Sequence, residues 1–102
     1  MHARVAVYRI TSGTAEEIAS KADAEGGMRT LFEAEPGFES YELVAAGDAI
    51  ISVSRWETAQ QAEAATVAAR SWVAEHLARA LELQQSYVGE LILSSAEPTT
   101  GP

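Results

Sequence analysis

The chain reads as an α+β domain in which strand, helix, strand, strand, helix and strand fold into a four-stranded antiparallel sheet with its helices on one face. Three observations predict this. A sharp corner at Glu35-Pro36-Gly37-Phe38 separates a helix-patterned segment from two strand-patterned ones. Thr14-x-x-Glu17 has the form of a capping box, in which each side chain satisfies the other residue's free backbone N–H at the start of a helix. A strand-helix-strand unit also occurs twice within 102 residues. Two such units with right-handed crossovers interleave into one sheet, the ferredoxin-like βαββαβ arrangement.

Each element has its own warrant. Arg4 to Ile10 (RVAVYRI) is rich in β-formers, and its apolar residues fall on both alternation phases: Val5 and Val7 on one, Ala6, Tyr8 and Ile10 on the other. Neither face of that strand suits water. After Thr11-Ser12-Gly13 a helix is expected from about Ala15, with a buried stripe of Ile18, Ala22, Met28, Leu31 and Phe32. Gly26-Gly27 interrupts it at roughly 1 kcal/mol per glycine relative to alanine, so a kink or a weak turn is expected there. Phe38 to Ala45 (FESYELVA) and Ala49 to Trp56 (AIISVSRW) alternate on either side of Ala46-Gly47-Asp48 and predict an antiparallel hairpin.

Thr58 can cap a second helix, which the spacing of Ala62, Ala65, Ala69, Trp72, Val73, His76, Leu77 and Ala80 extends through Leu83. At about 25 residues that helix is long for so small a domain, and a break is expected near Arg70-Ser71. Ser86 to Ser94 (SYVGELILS) reads as the last strand, with Tyr87, Gly89, Leu91 and Leu93 on one phase. Residues 1–95 thus form one domain, and the Pro- and Thr-containing segment 96–102 is expected to be a flexible tail.

Bulk properties exclude several functions. No apolar run approaches the length that spans a bilayer, and the N-terminus lacks the pattern of a signal peptide, so a cytoplasmic protein without membrane association is expected. The chain has no cysteine, which removes disulfides, thiolate nucleophiles and cysteine metal sites. A formal net charge of −8, with no basic cluster, argues against nucleic acid as a partner. Two helices cover only one side of the sheet. Val5, Val7, Ile51, Val53, Leu91 and Leu93 would leave the other side apolar, which predicts a homodimer packed sheet to sheet.

Pro36-Gly37-Phe38 opening the second strand, Ser52-Val53-Ser54-Arg55-Trp56-Glu57 closing the third, and Ser71-Trp72-Val73-Ala74-Glu75-His76-Leu77 late in the second helix together resemble the antibiotic biosynthesis monooxygenase-like family of the dimeric α+β barrel superfamily. The resemblance covers residues 3 to 94. It implies a ferredoxin-like protomer, a dimer, and a cavity between sheet and helices. Some members of that family oxidise polyketide aromatics without metal or flavin, and others degrade haem. The haem-degrading branch relies on an asparagine in its first strand; this chain contains no asparagine, so haem degradation is not expected.

The candidate chemistry follows from these readings. Trp72 and His76 lie four apart and share a helix face, where an imidazole beside an indole could bind or protonate a flat aromatic substrate. Ser52, Ser54 and Trp56 share one strand phase, a polar-aromatic row suited to a cavity wall and opposite in facing to Arg55. For a reaction in which an electron-rich substrate meets oxygen directly, His76 is the expected base, Arg9 or Tyr8 the oxyanion donor, and Trp56 and Trp72 the walls. No metal site is expected, because His2 and His76 are the only histidines and neither stands in a ligand-spaced motif. No tightly held cofactor is expected either. No phosphate-binding or serine-hydrolase motif occurs. The competing expectation is a non-catalytic, small-molecule-binding or regulatory module built on the same cavity.

Overall fold

The computed structural model describes residues 1–95; the tail expected over 96–102 lies outside them. The elements are β1 (His2–Ile10), α1 (Ala15–Asp23), α2 (Met28–Glu33), β2 (Phe38–Ala46), β3 (Ala49–Trp56), α3 (Ala59–His76) and β4 (Leu81–Glu90). The sheet order is β2-β3-β1-β4 with every neighbouring pair antiparallel, as the ferredoxin-like arrangement requires.

The first helix begins where its capping box places it. Glu17 N–H donates to the Thr14 hydroxyl at 3.2 Å, and Thr14 N–H donates to the Glu17 carboxylate at 3.1 Å. A second box, Thr58 with Gln61, opens α3 in the same way. Of the two expected outcomes at the glycine pair, the structure has the turn, which ends one helix and precedes the next. Gly26 has a φ of +78°, and a side chain on Gly27 would sit 2.5 Å from the Lys21 carbonyl oxygen, so backbone closes over backbone there. The helix restarts at Met28 on a new axis, with Met28 and Phe32 turned inward. Leu31, expected in the buried stripe, is therefore on the outside.

The C-terminal third departs furthest from expectation. The last helix runs unbroken through residues 70 and 71 and stops at His76, where Leu77 N–H caps onto the Val73 carbonyl at 2.8 Å. Ala80, expected on the helix stripe, lies in the turn that follows. The final strand starts at Leu81, not Ser86, and ends at Glu90, so Leu91 and Leu93 lie beyond it. Leu81-Glu82-Leu83-Gln84-Gln85 are good helix formers, but pairing with β1 from Ile10↔Leu81 onward outweighs that preference.

Alternation divides the sheet. Arg4, Ala6 and Tyr8 of β1 and Ile50, Ser52, Ser54 and Trp56 of β3 are buried, facing the helices. On the opposite face the register sets Val5 between Val53 and Tyr87, and Val7 between Ile51 and Gln85. That face stays partly open: Val44 is 48% and Tyr87 55% exposed.

Candidate functional site

Small residues make the space. The last helix turns Ala69 inward, the first adds Ala22, and β3 contributes Ser52, so helix and sheet meet here without filling the gap between them. What remains is a narrow cavity of about 30 Å³, bordered by Arg4, Tyr8, Tyr41, Ser52 and Trp72 among others. It has room for about one water molecule. Beside it, between α1, α2 and β2, lies an open vestibule of about 400 Å³, in the size range of small-molecule sites. Ala22, Tyr41 and Leu43 border both spaces, which meet along these three residues.

Arg4 is the one charged residue bordering the inner cavity, whose wall is otherwise mainly apolar. It is 1% exposed, with its guanidinium carbon 5.9 Å from the centre of the Phe32 ring. Its Nη1 donates to the Ser52 hydroxyl and its Nη2 to the Tyr8 hydroxyl, both at 3.3 Å. The Nε–H has no partner. No carboxylate borders the cavity, and no ion pair involves Arg4 among the described residues. Tyr41 does not supply the missing charge. Burial pushes its hydroxyl up to about 12, despite the opposing pull of the Arg4 charge and a hydrogen bond with Ser52.

At the vestibule mouth Arg29 bridges α1 and α2, reaching Asp23 at 2.7 Å and Glu33 at 3.1 Å. Those two carboxylates hold the guanidinium more firmly protonated than usual. Among the described residues no three His, Cys, Asp or Glu side chains come together in a way that could hold a metal ion, and no helix is long and apolar enough to cross a membrane.

The residues singled out from sequence divide into two groups. Tyr8, Ser52 and Trp72 meet at the cavity, with the Trp72 indole N–H anchored on the Gly26 carbonyl at 3.2 Å. Ser54 and Trp56 are buried beside it but do not border it. The Trp56 indole donates to the Ser54 hydroxyl at 2.9 Å, and its ring packs edge-on against Phe32 and Phe38. Arg9 is exposed and paired with Glu82 at 3.3 Å, because odd-numbered positions of β1 face away from the helices. His76 shares a face with Trp72 as its spacing predicts, with ring centres 5.0 Å apart. The imidazole nevertheless opens onto a surface groove shared with Lys21 and Arg79, and it lies 3.6 Å from Glu75 rather than in the cavity.

Arg4 is the charged cavity residue that sequence reasoning did not select. Arg4 carries a legible signal. It lies in phase with Ala6 and Tyr8, so a charge occupies the inward row of an otherwise apolar strand.

Comparison with known proteins places the geometry in context. Among solved structures, the chain resembles SnoaB, a cofactor-independent oxygenase from Streptomyces nogalater, with a TM-score of 0.68 and 14% identity over 94% of this chain and 98% of that one. It also resembles a variant of MhuD with two manganese protoporphyrin IX molecules bound per active site, with a TM-score of 0.67 and 18% identity over 95% of this chain and 100% of that one. A third similar structure is Rv0793 from Mycobacterium tuberculosis, with a TM-score of 0.60 and 18% identity over 94% of this chain and 100% of that one. At such identities these likenesses establish the fold alone. No curated protein matches the chain in sequence. The profile of the antibiotic biosynthesis monooxygenase family matches residues 1–70, from the first strand into the last helix, and the chain belongs to that family.

Proposed function

We propose that this protein is a cytoplasmic, homodimeric monooxygenase that admits an aromatic or quinone-type small molecule between its sheet and helices and oxidises it with molecular oxygen, without a tightly held cofactor. One observation carries the reading. A vestibule of about 400 Å³, suited to a small ring system, meets a water-sized cavity bordered by Tyr8, Tyr41 and Ser52. Family membership and the likeness in fold to a cofactor-independent oxygenase support the same chemistry. The uncovered apolar face of the sheet supports the dimer.

In such a reaction a deprotonated, electron-rich ring carbon bonds to one atom of O₂, and the resulting hydroperoxide loses water to leave a carbonyl. A CH₂ centre gives up two hydrogens and four electrons; one oxygen atom enters the product and the other leaves as water. The protein's contribution is a slot that excludes water and donors already aimed at the substrate oxygen where negative charge develops. Tyr8 is the donor in this proposal and Trp72 the wall. Arg9 and His76, outside the cavity, are not assigned to the chemistry.

A non-catalytic module that holds a small molecule is the second reading. It is favoured by one observation: no imidazole or carboxylate borders the inner cavity to act as a base. Oxygen uptake under ¹⁸O₂ with a panel of anthrones and hydroxynaphthalenes separates the two. The monooxygenase reading expects enzyme-dependent uptake and one ¹⁸O atom in the product. Tyr8→Phe should slow turnover by about 10²–10³-fold, the order contributed by one positioned donor; Trp72→Ala, which removes a wall, should also slow it, and His76→Ala should leave it close to wild type. Compounds that raise the melting temperature without any oxygen uptake would assign the protein to the binding class.

A further inference from the structure

Arg4 is a full positive charge inside the domain with no negative charge to meet it. A guanidinium offers five N–H donors, and Arg4 uses two bonds, both 3.3 Å long and both to neutral hydroxyls. Removing such a group from water is costly unless an opposite charge compensates it. The described chain provides none: the cavity has no acidic neighbour, and Tyr41 is held in its neutral form. Packing against Phe32 at 5.9 Å recovers only part of the cost. An uncompensated buried charge on a residue that borders a cavity is the arrangement of a site built for an anion that arrives from outside.

The two spaces define the shape of that anion. The inner cavity, about 30 Å³, admits an oxygen-bearing group but no ring. The vestibule, about 400 Å³, admits the ring and touches the inner cavity along Ala22, Tyr41 and Leu43. Its two carboxylates, Asp23 and Glu33, are both tied to Arg29, which lessens their repulsion of an incoming anion. We infer that Arg4 is the anion-recognition residue of this site: its ligand is an aromatic compound bearing an ionised oxygen group, a carboxylate or phenolate, that enters oxygen-first and leaves its ring in the vestibule. The inference rests on the proposal that the space between sheet and helices is the ligand site. It adds that the ligand binds already ionised, whereas the oxygenase chemistry by itself requires only that charge develop during the reaction.

The test compares two probes of nearly equal shape, 2-naphthoate and its uncharged amide, by isothermal titration against the full chain. A hydrogen bond to a charged group contributes about 1.5–3 kcal/mol, so the wild-type protein is expected to bind the carboxylate at least about tenfold more tightly than the amide. Arg4→Met should reduce that preference below about twofold while leaving the ligand-free protein at least as stable as wild type. Should Arg4→Met fail to fold, the side-chain ¹⁵N resonance of Arg4 Nε in the wild-type protein decides: it is expected to shift with naphthoate and not with the amide. Equal binding of the two probes, absent binding of both, a preference unchanged by Arg4→Met, or an unmoved Nε resonance would each overturn the inference. Oxygen incorporation without charge preference removes Arg4 alone from the picture. Charge preference without oxygen incorporation retains the anion site and removes the oxygenase.

Discussion

Tyr41 shows how a single side chain registers the electrostatics of the cavity. Burial is the largest influence on its hydroxyl and raises it from 10.0 to about 12, while the Arg4 charge and the bond with Ser52 act the other way. Because the folded value lies above the unfolded one, the contribution to stability is complete below pH 10 and is lost as pH rises toward 12, where the unfolded chain releases its proton first. Unfolding free energies at pH 9 and pH 11.5 should therefore differ less in Tyr41→Phe than in wild type, by about 1–2 kcal/mol. An identical difference in the two proteins would mean that Tyr41 titrates as if in water. The same scale explains why Arg4 escaped a reading by residue type. Sequence alternation puts it in the inward row, but only packing reveals that no carboxylate follows it there.

At the scale of elements, the Gly26-Gly27 break is the joint on which the site depends. It ends α1 and restarts α2, and it presents the Gly26 carbonyl that anchors the Trp72 indole. A methyl group on Gly27 would meet the backbone oxygens of Lys21, Ala22 and Ala24 at 2.5 to 2.8 Å, and backbone cannot yield as a flexible side chain can. Gly27→Ala is expected to destabilise the domain by about 2–3 kcal/mol, at the upper end of overpacking costs. Gly47→Ala, with φ +62° but open space around the added carbon, should cost only about 1 kcal/mol. Urea midpoints of the two variants test the contrast, and equal midpoints would deny the tight closure at Gly27. The break itself was legible from two adjacent glycines. The boundary between α3 and β4 was not, because residues 77–85 favour a helix locally and become a turn and a strand only through pairing with β1.

The whole molecule is left with one face of its sheet without a helix layer. Val5, Val7, Ile51 and Val53 form its centre, Val44 and Tyr87 its flanks, and Ile92 and Leu93 extend from the end of β4 at 88% and 86% exposure. Apolar surface on this scale favours association, since burying it releases about 25 cal/mol per Å². Sedimentation of the wild-type protein at micromolar concentration is expected to give twice the 10.9 kDa protomer mass. Val53→Asp, which places a charge between Val5 and Glu42 on that face, should shift the distribution to single protomers. A wild-type protein that sediments as a stable single protomer would remove the dimer from the proposed function.

By itself the sequence determined the sheet, because alternation, capping and turn chemistry act over a few residues and agree with one another from the first strand to the start of the last helix. It also foretold a greasy second face and a row of serine and tryptophan on the inward side of β3. Only the tertiary structure decided which inward residues border empty space: Trp56 and Ser54 satisfy each other inside an aromatic cluster, whereas Tyr8, Ser52 and Trp72 converge with Arg4 around a gap that the small side chains of Ala22 and Ala69 leave open. A cavity is a property of what fails to touch, and failure to touch is set by residues distant in the chain.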